Sequence, residues 1–458
     1  MNILLTDRSW PYLHLVAKDL ASKLEKFNNV ILLSDKEKSF KVDNFQVINI
    51  HDIPVRNPID YYQKKYPFSI YKTIVCERAF TDYSSFRVYS KYSNSLVEDI
   101  EYWIKLYVNA FDYLYSNKLC DVVIENAPDC FIPPLSSLIA EHYKIKYFSI
   151  HLTYWHKNGI FFFDRSNWTS SHLDKYISFY DKNQQLINRE NLDFVFSSKK
   201  TMWFNRIPQR KERLQQLLNR SRSYNPISLK HLFLRTFYRL INKVQISNFL
   251  NWSYTISSKS FVLFPLHISP EASLLGNSPE VADQFSVIKN ISMNLPWGVT
   301  MYVKEHPHVL EGHGLDYNFY KKIQSLNNVE LLHKSVRLDT IYNDEGLIAI
   351  LGINGTVCID AALSRKAVII FGDPYFKQAD CFIKVSSYSE LNNILKSIMD
   401  NGWQFSENGL YSLLAALDQL VVTSNEVDFS KENTTKGIAF AYNYIIKEFV
   451  ENRSLYNH

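Results

Sequence analysis

Residues 301–312, MYVKEHPHVLEG, and residues 348–376, IAILGINGTVCIDAALSRKAVIIFGDPYF, decide the fold. Each stretch holds a short apolar strand that ends in a small polar cluster. Lys304, Glu305, His306 and Pro307 follow the first strand, and Asn354, Gly355 and Thr356 follow the second. The second cluster opens a helix over 357–364. Polar groups at the carboxyl ends of strands, one set at a helix N-terminus, are how an open α/β sheet holds a phosphate or a nucleotide. A nucleotide-linked substrate is therefore the first expectation.

Working outward, the same alternation of apolar strand and amphipathic helix runs through both ends of the chain. Strands are expected over 2–6, 30–34, 45–50, 121–124 and 146–150, with helices over 12–27, 95–114 and 134–142. A second series begins near Ser260, with strands over 261–266, 300–304, 329–332, 347–351, 367–371 and 381–385. Its helices are expected over 282–295, 318–326, 337–342, 357–364 and 388–400. Strands that are apolar throughout signal parallel sheets covered on both faces. The predicted class is α/β, with two Rossmann-like domains facing a cleft.

A chain of 458 residues is too long for one ordinary core, which agrees with two domains of roughly 200 residues each. The expected division is 1–165 for an acceptor-side domain, 166–254 for a basic, aromatic helical connector, 255–430 for a nucleotide-sugar domain and 431–458 for a helix packing back on the first domain. The apolar share of 46% and charged share of 21% are those of a globular protein rather than a disordered one. The 30 Tyr, 30 Phe and 8 Trp read as large cores first and as sugar-stacking platforms second.

The formal net charge of +5 is unevenly placed. Between Arg206 and Lys243 stand ten Lys/Arg against Glu212 alone, so this segment carries +9 and the rest of the chain −4. With Phe, Tyr and Leu interleaved, the pattern suits either a solvated helix face or contact with an anionic membrane surface. No nucleic-acid-binding motif accompanies it, and no nucleic-acid partner is expected. The start, MNILLTDRSW, reaches Asp7 and Arg8 too early for a secretory h-region, and no run approaches the ~18 apolar residues of a spanning helix. Five scattered cysteines without a CxxC suit a reducing compartment. The expectation is a cytoplasmic protein, peripheral on the inner membrane face.

Further polar residues fall at strand ends. His267 and Glu271 follow the strand over 261–266 and could meet a ribose or sugar hydroxyl. His306, fixed by Pro307, could protonate or stabilise a leaving phosphate. Thr356 could cap the helix that follows it or meet a phosphate. His306, His308 and His313 lie close in sequence but lack a carboxylate or cysteine at zinc spacing, so no metal is expected. There is no GxxxxGK[ST], no GxGxxG after the first strand and no DxD, which disfavours a P-loop ATPase, a nicotinamide dehydrogenase and a metal-clamped nucleotide sugar. No cofactor is expected beyond the nucleotide-sugar substrate. For the group that deprotonates an acceptor hydroxyl or acts as nucleophile, Glu125 at a strand end leads, ahead of Asp82 and Asp129. Asp82 could equally make a turn, and Asp129 could cap a helix.

The segments FPLHISPEAS (264–273), VKEHP (303–307), GINGTVCIDAALSRKAVIIFGDPYF (352–376) and ERAFTDYSSF (77–86) together resemble the bacterial capsule polysaccharide biosynthesis family. That family contains GT-B glycosyltransferases related to β-Kdo transferases. The resemblance is best over about 261–384, looser over 75–163 and absent from the basic connector. It implies a metal-independent transferase that moves a sugar, Kdo or a similar acidic sugar on CMP, to a growing surface glycan. It also implies that His306 and Thr356 hold the donor phosphate, with Lys304, Pro307, Asn354, Gly355, His267 and Glu271 around them. The sequence departs from that pattern at Gly355, where a hydroxyl is common, so one donor must come from backbone or Asn354. Two other readings stand beside it: a nucleotide-sugar epimerase of the same fold, and a non-catalytic subunit of a polysaccharide assembly complex.

Overall fold

The computed structural model describes residues 2–7, 30–34, 46–69, 73, 95–126, 130–152, 159–165, 171–197, 229–268, 272–307 and 315–423. Asp82, Asp129, Glu271 and the helices expected over 12–27 and 431–458 lie outside the described residues.

Two sheets organise the molecule. The first contains β1 (Ile3–Asp7), β2 (Val30–Ser34), β3 (Gln46–Asn49), β4 (Val122–Asn126), β5 (Lys146–Leu152) and β6 (Gly159–Phe163). The second contains β7 (Phe261–Pro265), β8 (Thr300–Lys304), β9 (Val329–Leu332), β10 (Leu347–Gly352), β11 (Val368–Ile370) and β12 (Ile383–Lys384). A last strand, β13 (Val421–Thr423), returns to the first sheet, whose order is β13-β6-β5-β4-β1-β2-β3. The second sheet runs β12-β11-β10-β7-β8-β9.

Both orders are those of a doubly wound nucleotide-binding sheet, in which the chain winds outward one way from a central strand, returns, and winds the other way. The expected class, two Rossmann-like α/β units, is therefore what the chain adopts. The reversal falls between β1 and β4 in the first sheet and between β7 and β10 in the second. All pairs in the second sheet are parallel, with Phe261 opposite Thr300 and Pro265 opposite Lys304, and Leu347 opposite Phe261 on the other side. Its central strand, FVLFP, buries its first four residues. Such a strand has a helical layer on each side, so both faces must be apolar.

The helices begin where sequence chemistry stops the preceding loop. Asp316 caps Tyr317–Gln324 by accepting the Phe319 N–H at 2.9 Å, and Ser406 caps Glu407–Leu420 by accepting the Gly409 N–H at 3.1 Å. Each cap satisfies a backbone donor that the first helical turn cannot.

Residues 166–254 were expected to form a connector. Within them, helices Ser171–Lys182 and Arg189–Ser197 contribute Leu173, Ile177, Leu192 and Phe196 to one apolar cluster. That cluster also holds Phe161 and Phe163 of β6, Phe261 of β7 and Leu413, Leu414 and Leu417 of Glu407–Leu420. Tyr411 of the same helix donates to Asp193 at 2.9 Å, and Phe163 meets Tyr375 with ring centroids 5.7 Å apart. The first part of the expected connector is thus core. The antiparallel strands β6 and β13, which pair through Phe161 and Val421, escaped the sequence reading, as did the helices Ile59–Lys65, Ala272–Asn277 and Glu407–Leu420.

Candidate functional site

In the second sheet the strand order places the ends of β7 and β10 side by side at the switch point, where open α/β sheets bind ligands. His267 lies two residues past β7 and is buried. Its backbone is clamped by the side-chain amide of Gln284: the His267 N–H donates to Oε1 at 2.8 Å and Nε2 donates to the His267 carbonyl at 3.3 Å. Gln284 stands at the first position of helix Gln284–Met293, which Asp283 caps. The imidazole reaches across the switch point, where its Nε2 receives the Asn354 N–H at 3.4 Å.

Asn354 is buried and faces inward. Its Oδ1 accepts from the Ser278 hydroxyl at 2.9 Å, and the Ser278 oxygen accepts the Asp373 N–H at 2.7 Å. Three loops at the same sheet edge are joined by this chain of bonds. At Gly372 a Cβ would stand 2.3 Å from Asn354 Oδ1 and 2.8 Å from Ser278 Oγ, so the backbone there must be glycine for the bonds to form. At Gly355 the constraint is milder. A Cβ would lie 3.5 Å from His267 Cε1 and 3.2 Å from Val357 Cγ1, a close but nearly ordinary contact. Glycine therefore adds no side chain against the imidazole on that side. Thr356 precedes helix Val357–Leu363 without a side-chain capping bond, so the capping alternative is not how its hydroxyl is used.

The cluster after β8 divides into a frame and a presented group. Lys304 is buried, with Nζ donating to the carbonyls of Glu305 at 3.2 Å and Lys334 at 3.3 Å. Burial pushes its ammonium down to about 8, although the neighbouring Glu305 charge works the other way. Glu305 is buried too; desolvation raises its carboxyl, against the opposing pull of the Tyr320 hydroxyl and the His306 N–H, which it accepts at 2.8 Å. Lys304 and Glu305 thus brace the turn on which His306 is partly exposed and Pro307 exposed. Since Pro265 pairs with Lys304, His267 and His306 each leave the sheet two residues beyond a matched pair.

In the first sheet Glu125 occupies the corresponding strand end, as expected, on β4. It is 1% exposed, and both carboxylate oxygens are engaged: Thr6 donates to Oε1 at 3.0 Å across the switch point and Tyr147 to Oε2 at 3.1 Å. The side chain is enclosed rather than presented to an acceptor. The sequence reading missed Gln284, Ser278 and Asp373. The GDP triplet at 372–374, a polar cluster after another apolar strand, was the available signal for Asp373.

Residues 173–380 match the model of the capsule polysaccharide biosynthesis protein family. The resemblance read from the sequence is to this same family, and the matched region contains every described residue named above at the strand ends of the second sheet. No curated protein matches the chain. Among solved structures, a β-Kdo 2,7 transferase, KpsC of Thermosulfurimonas dismutans, is 9% identical with a TM-score of 0.35, over 74% of this chain and 90% of that one. S. aureus MnaA with UDP is 12% identical with a TM-score of 0.27, over 98% and 97%. The UDP-GlcNAc 2-epimerase of Neisseria meningitidis is 13% identical with a TM-score of 0.27, over 99% and 100%. Among the described residues, no helix is long and apolar enough to cross a membrane.

Proposed function

We propose that the protein is a glycosyltransferase of surface polysaccharide synthesis that takes its sugar from a nucleotide donor bound at the switch point of the second sheet. The observation that carries this reading is the meeting of His267, Asn354 and Gly355 across β7 and β10, inside the region that matches the capsule biosynthesis family. Donor phosphate lies along the Gly355–Thr356 backbone, where no side chain at 355 stands between it and His267. His306, on its braced turn, donates a proton to the departing phosphate oxygen. In the transfer the bond from anomeric carbon to phosphate oxygen breaks, the acceptor oxygen takes its place on that carbon, and the acceptor proton passes to a base. Because Glu125 is enclosed, Asp82 and Asp129 take precedence over it as that base. The donor is CMP carrying Kdo or a related acidic sugar, a choice supported by the His306–Pro307 pair within the family resemblance.

Calorimetric titration with CMP, UDP and GDP tests the donor, and release of CMP from CMP-Kdo tests turnover. CMP binds in preference to the other two, and His306→Ala lowers turnover about 10²–10⁴-fold, the usual contribution of a positioned acid. Binding of UDP with indifference to CMP would sink the acidic-sugar donor. Interconversion of a UDP-sugar without any acceptor would establish the epimerase instead.

A further inference from the structure

The segment that follows β7 fastens three strand ends with two side chains. Gln284 holds the His267 backbone beyond β7, while Ser278 holds the loops after β10 and β11. Ser278 is 2% exposed and stands between helix Ala272–Asn277 and the turn Pro279–Val281. Its own backbone is tied on both sides: the N–H donates to the Leu274 carbonyl at 3.1 Å, and the carbonyl accepts the Val281 N–H at 3.1 Å. A serine in this place ordinarily caps the turn it precedes. Here the hydroxyl makes no capping bond and reaches across the sheet edge instead.

Chemistry settles which way those bonds run. The Asp373 N–H can only donate, so the Ser278 oxygen accepts it at 2.7 Å, and the single hydroxyl proton goes to Asn354 at 2.9 Å. The atom of the Asn354 amide that meets Ser278 is therefore the oxygen. Turned over, the amide would bring a second donor to the hydroxyl and take away the acceptor of its buried proton. The Asn354 side chain is thus held in one orientation, and its main chain with it. The Asn354 N–H meets His267 Nε2 at 3.4 Å, and the next carbonyl, of Gly355, accepts the Cys358 N–H at 3.0 Å.

We propose that Ser278 is a positioning residue for the bound donor: its hydroxyl holds the Asn354–Gly355 backbone, together with the loop of Asp373, in the arrangement that receives the phosphate of the nucleotide. This rests on a nucleotide donor binding at the switch point. Joining three buried loop ends does not in itself call for a polar chain, since apolar partners of the same shape can replace a hydrogen-bonded pair at little cost. What sets the relay apart from packing is where it ends, on the residue beside Gly355, whose Cβ position lies 3.5 Å from the His267 ring. A shift of about 1 Å in that backbone is enough to spoil the alignment of a bound group.

Calorimetry of the full chain with CMP and with cytidine tests it; should UDP or GDP bind in place of CMP, that nucleotide and its nucleoside are used. Ser278→Ala removes the acceptor of the Asp373 N–H and the donor to Asn354 together. It is expected to weaken CMP about tenfold and cytidine less than about twofold, because the relay serves the phosphate side of the ligand. A general loss of folded structure lowers both ligands alike, so the ratio of the two losses separates positioning from stability. Where Ser278→Ala does not fold, or the nucleoside binds too weakly to measure, hydrogen exchange in the unmodified chain decides. CMP is expected to slow exchange at 354–356 and in the peptide containing Asp373 together. Slowing at 354–356 alone overturns the proposal, as does an equal loss of both ligands. CMP affinity that Ser278→Ala leaves intact overturns the role of Ser278 and no more, whereas an unmodified chain that binds none of the three nucleotides overturns the donor reading and this proposal with it.

Discussion

The two sheets reverse their winding at equivalent places and do opposite things there. Between β1 and β4, Thr6 and Tyr147 both donate to Glu125, and the polar group at the strand end is consumed by its own fold. Between β7 and β10, the His267 ring faces a glycine, and its Nε2 receives the Asn354 N–H at 3.4 Å, beyond the usual hydrogen-bond range. The side-chain bonds there serve instead to fix loops: Gln284 on the His267 backbone, and Ser278 between Asn354 and Asp373. A polar residue at a switch point can thus be held through its side chain, as Glu125 is, or through its backbone, as His267 is. Topology alone does not distinguish them.

The largest expected effect breaks the closed site. Glu125→Leu leaves two buried hydroxyls without their acceptor and is expected to lower stability by about 3 kcal/mol in urea unfolding. CMP affinity of the folded fraction stays within about twofold. If the near-isosteric Glu125→Gln were stable yet lost turnover on the order of 10²-fold, the first switch point would hold the base after all and the contrast would fail.

A middle-sized effect comes from Lys304, buried at the rim of the second site. Its folded pKa of about 8 lies below the ordinary lysine value, so the charged amine is held at a cost at neutral pH. As pH rises above 8 the folded protein sheds this proton while the unfolded chain keeps it, and stability attributable to Lys304 rises. Relative to Lys304→Met, the unmodified protein should gain about 2 kcal/mol between pH 7 and pH 10. A flat difference across that range would mean that the amine is not desolvated.

The smallest effect probes the open site itself. Gly355→Ser places a Cβ 3.5 Å from His267 Cε1, so unfolding should shift by less than about 1 kcal/mol, while the added hydroxyl tightens CMP about fivefold. A loss as large as that of Glu125→Leu would show the second switch point to be closed like the first.

How much of this was legible follows from how each element is stabilised. β7, β8 and β10 could be read directly because parallel strands buried along most of their length carry apolar residues in unbroken runs. β6 and β13 lie at the antiparallel end of the first sheet; VVT is three residues long, and its pairing partner is more than 250 residues away. Helix Glu407–Leu420 is buried continuously from Gly409 to Leu417, so it shows no amphipathic stripe to count. The strand-end rule pointed to His267, His306, Asn354, Gly355 and Lys304 as candidates, but not to the inward turn of the Lys304 side chain. Ser278 acts on a residue 76 positions away through a single hydroxyl, and nothing local marks it.

The late return of the chain to the first sheet has a consequence for how such a protein can be divided or recombined. β13 covers β6, whose sequence GIFFF would otherwise be a bare hydrophobic edge ready to pair with another molecule. A fragment ending before the second domain would expose it. The two units are therefore not separable at a single cut: exchange of the second unit between relatives must keep a strand at residues 421–423, or the first sheet is left with an adhesive edge.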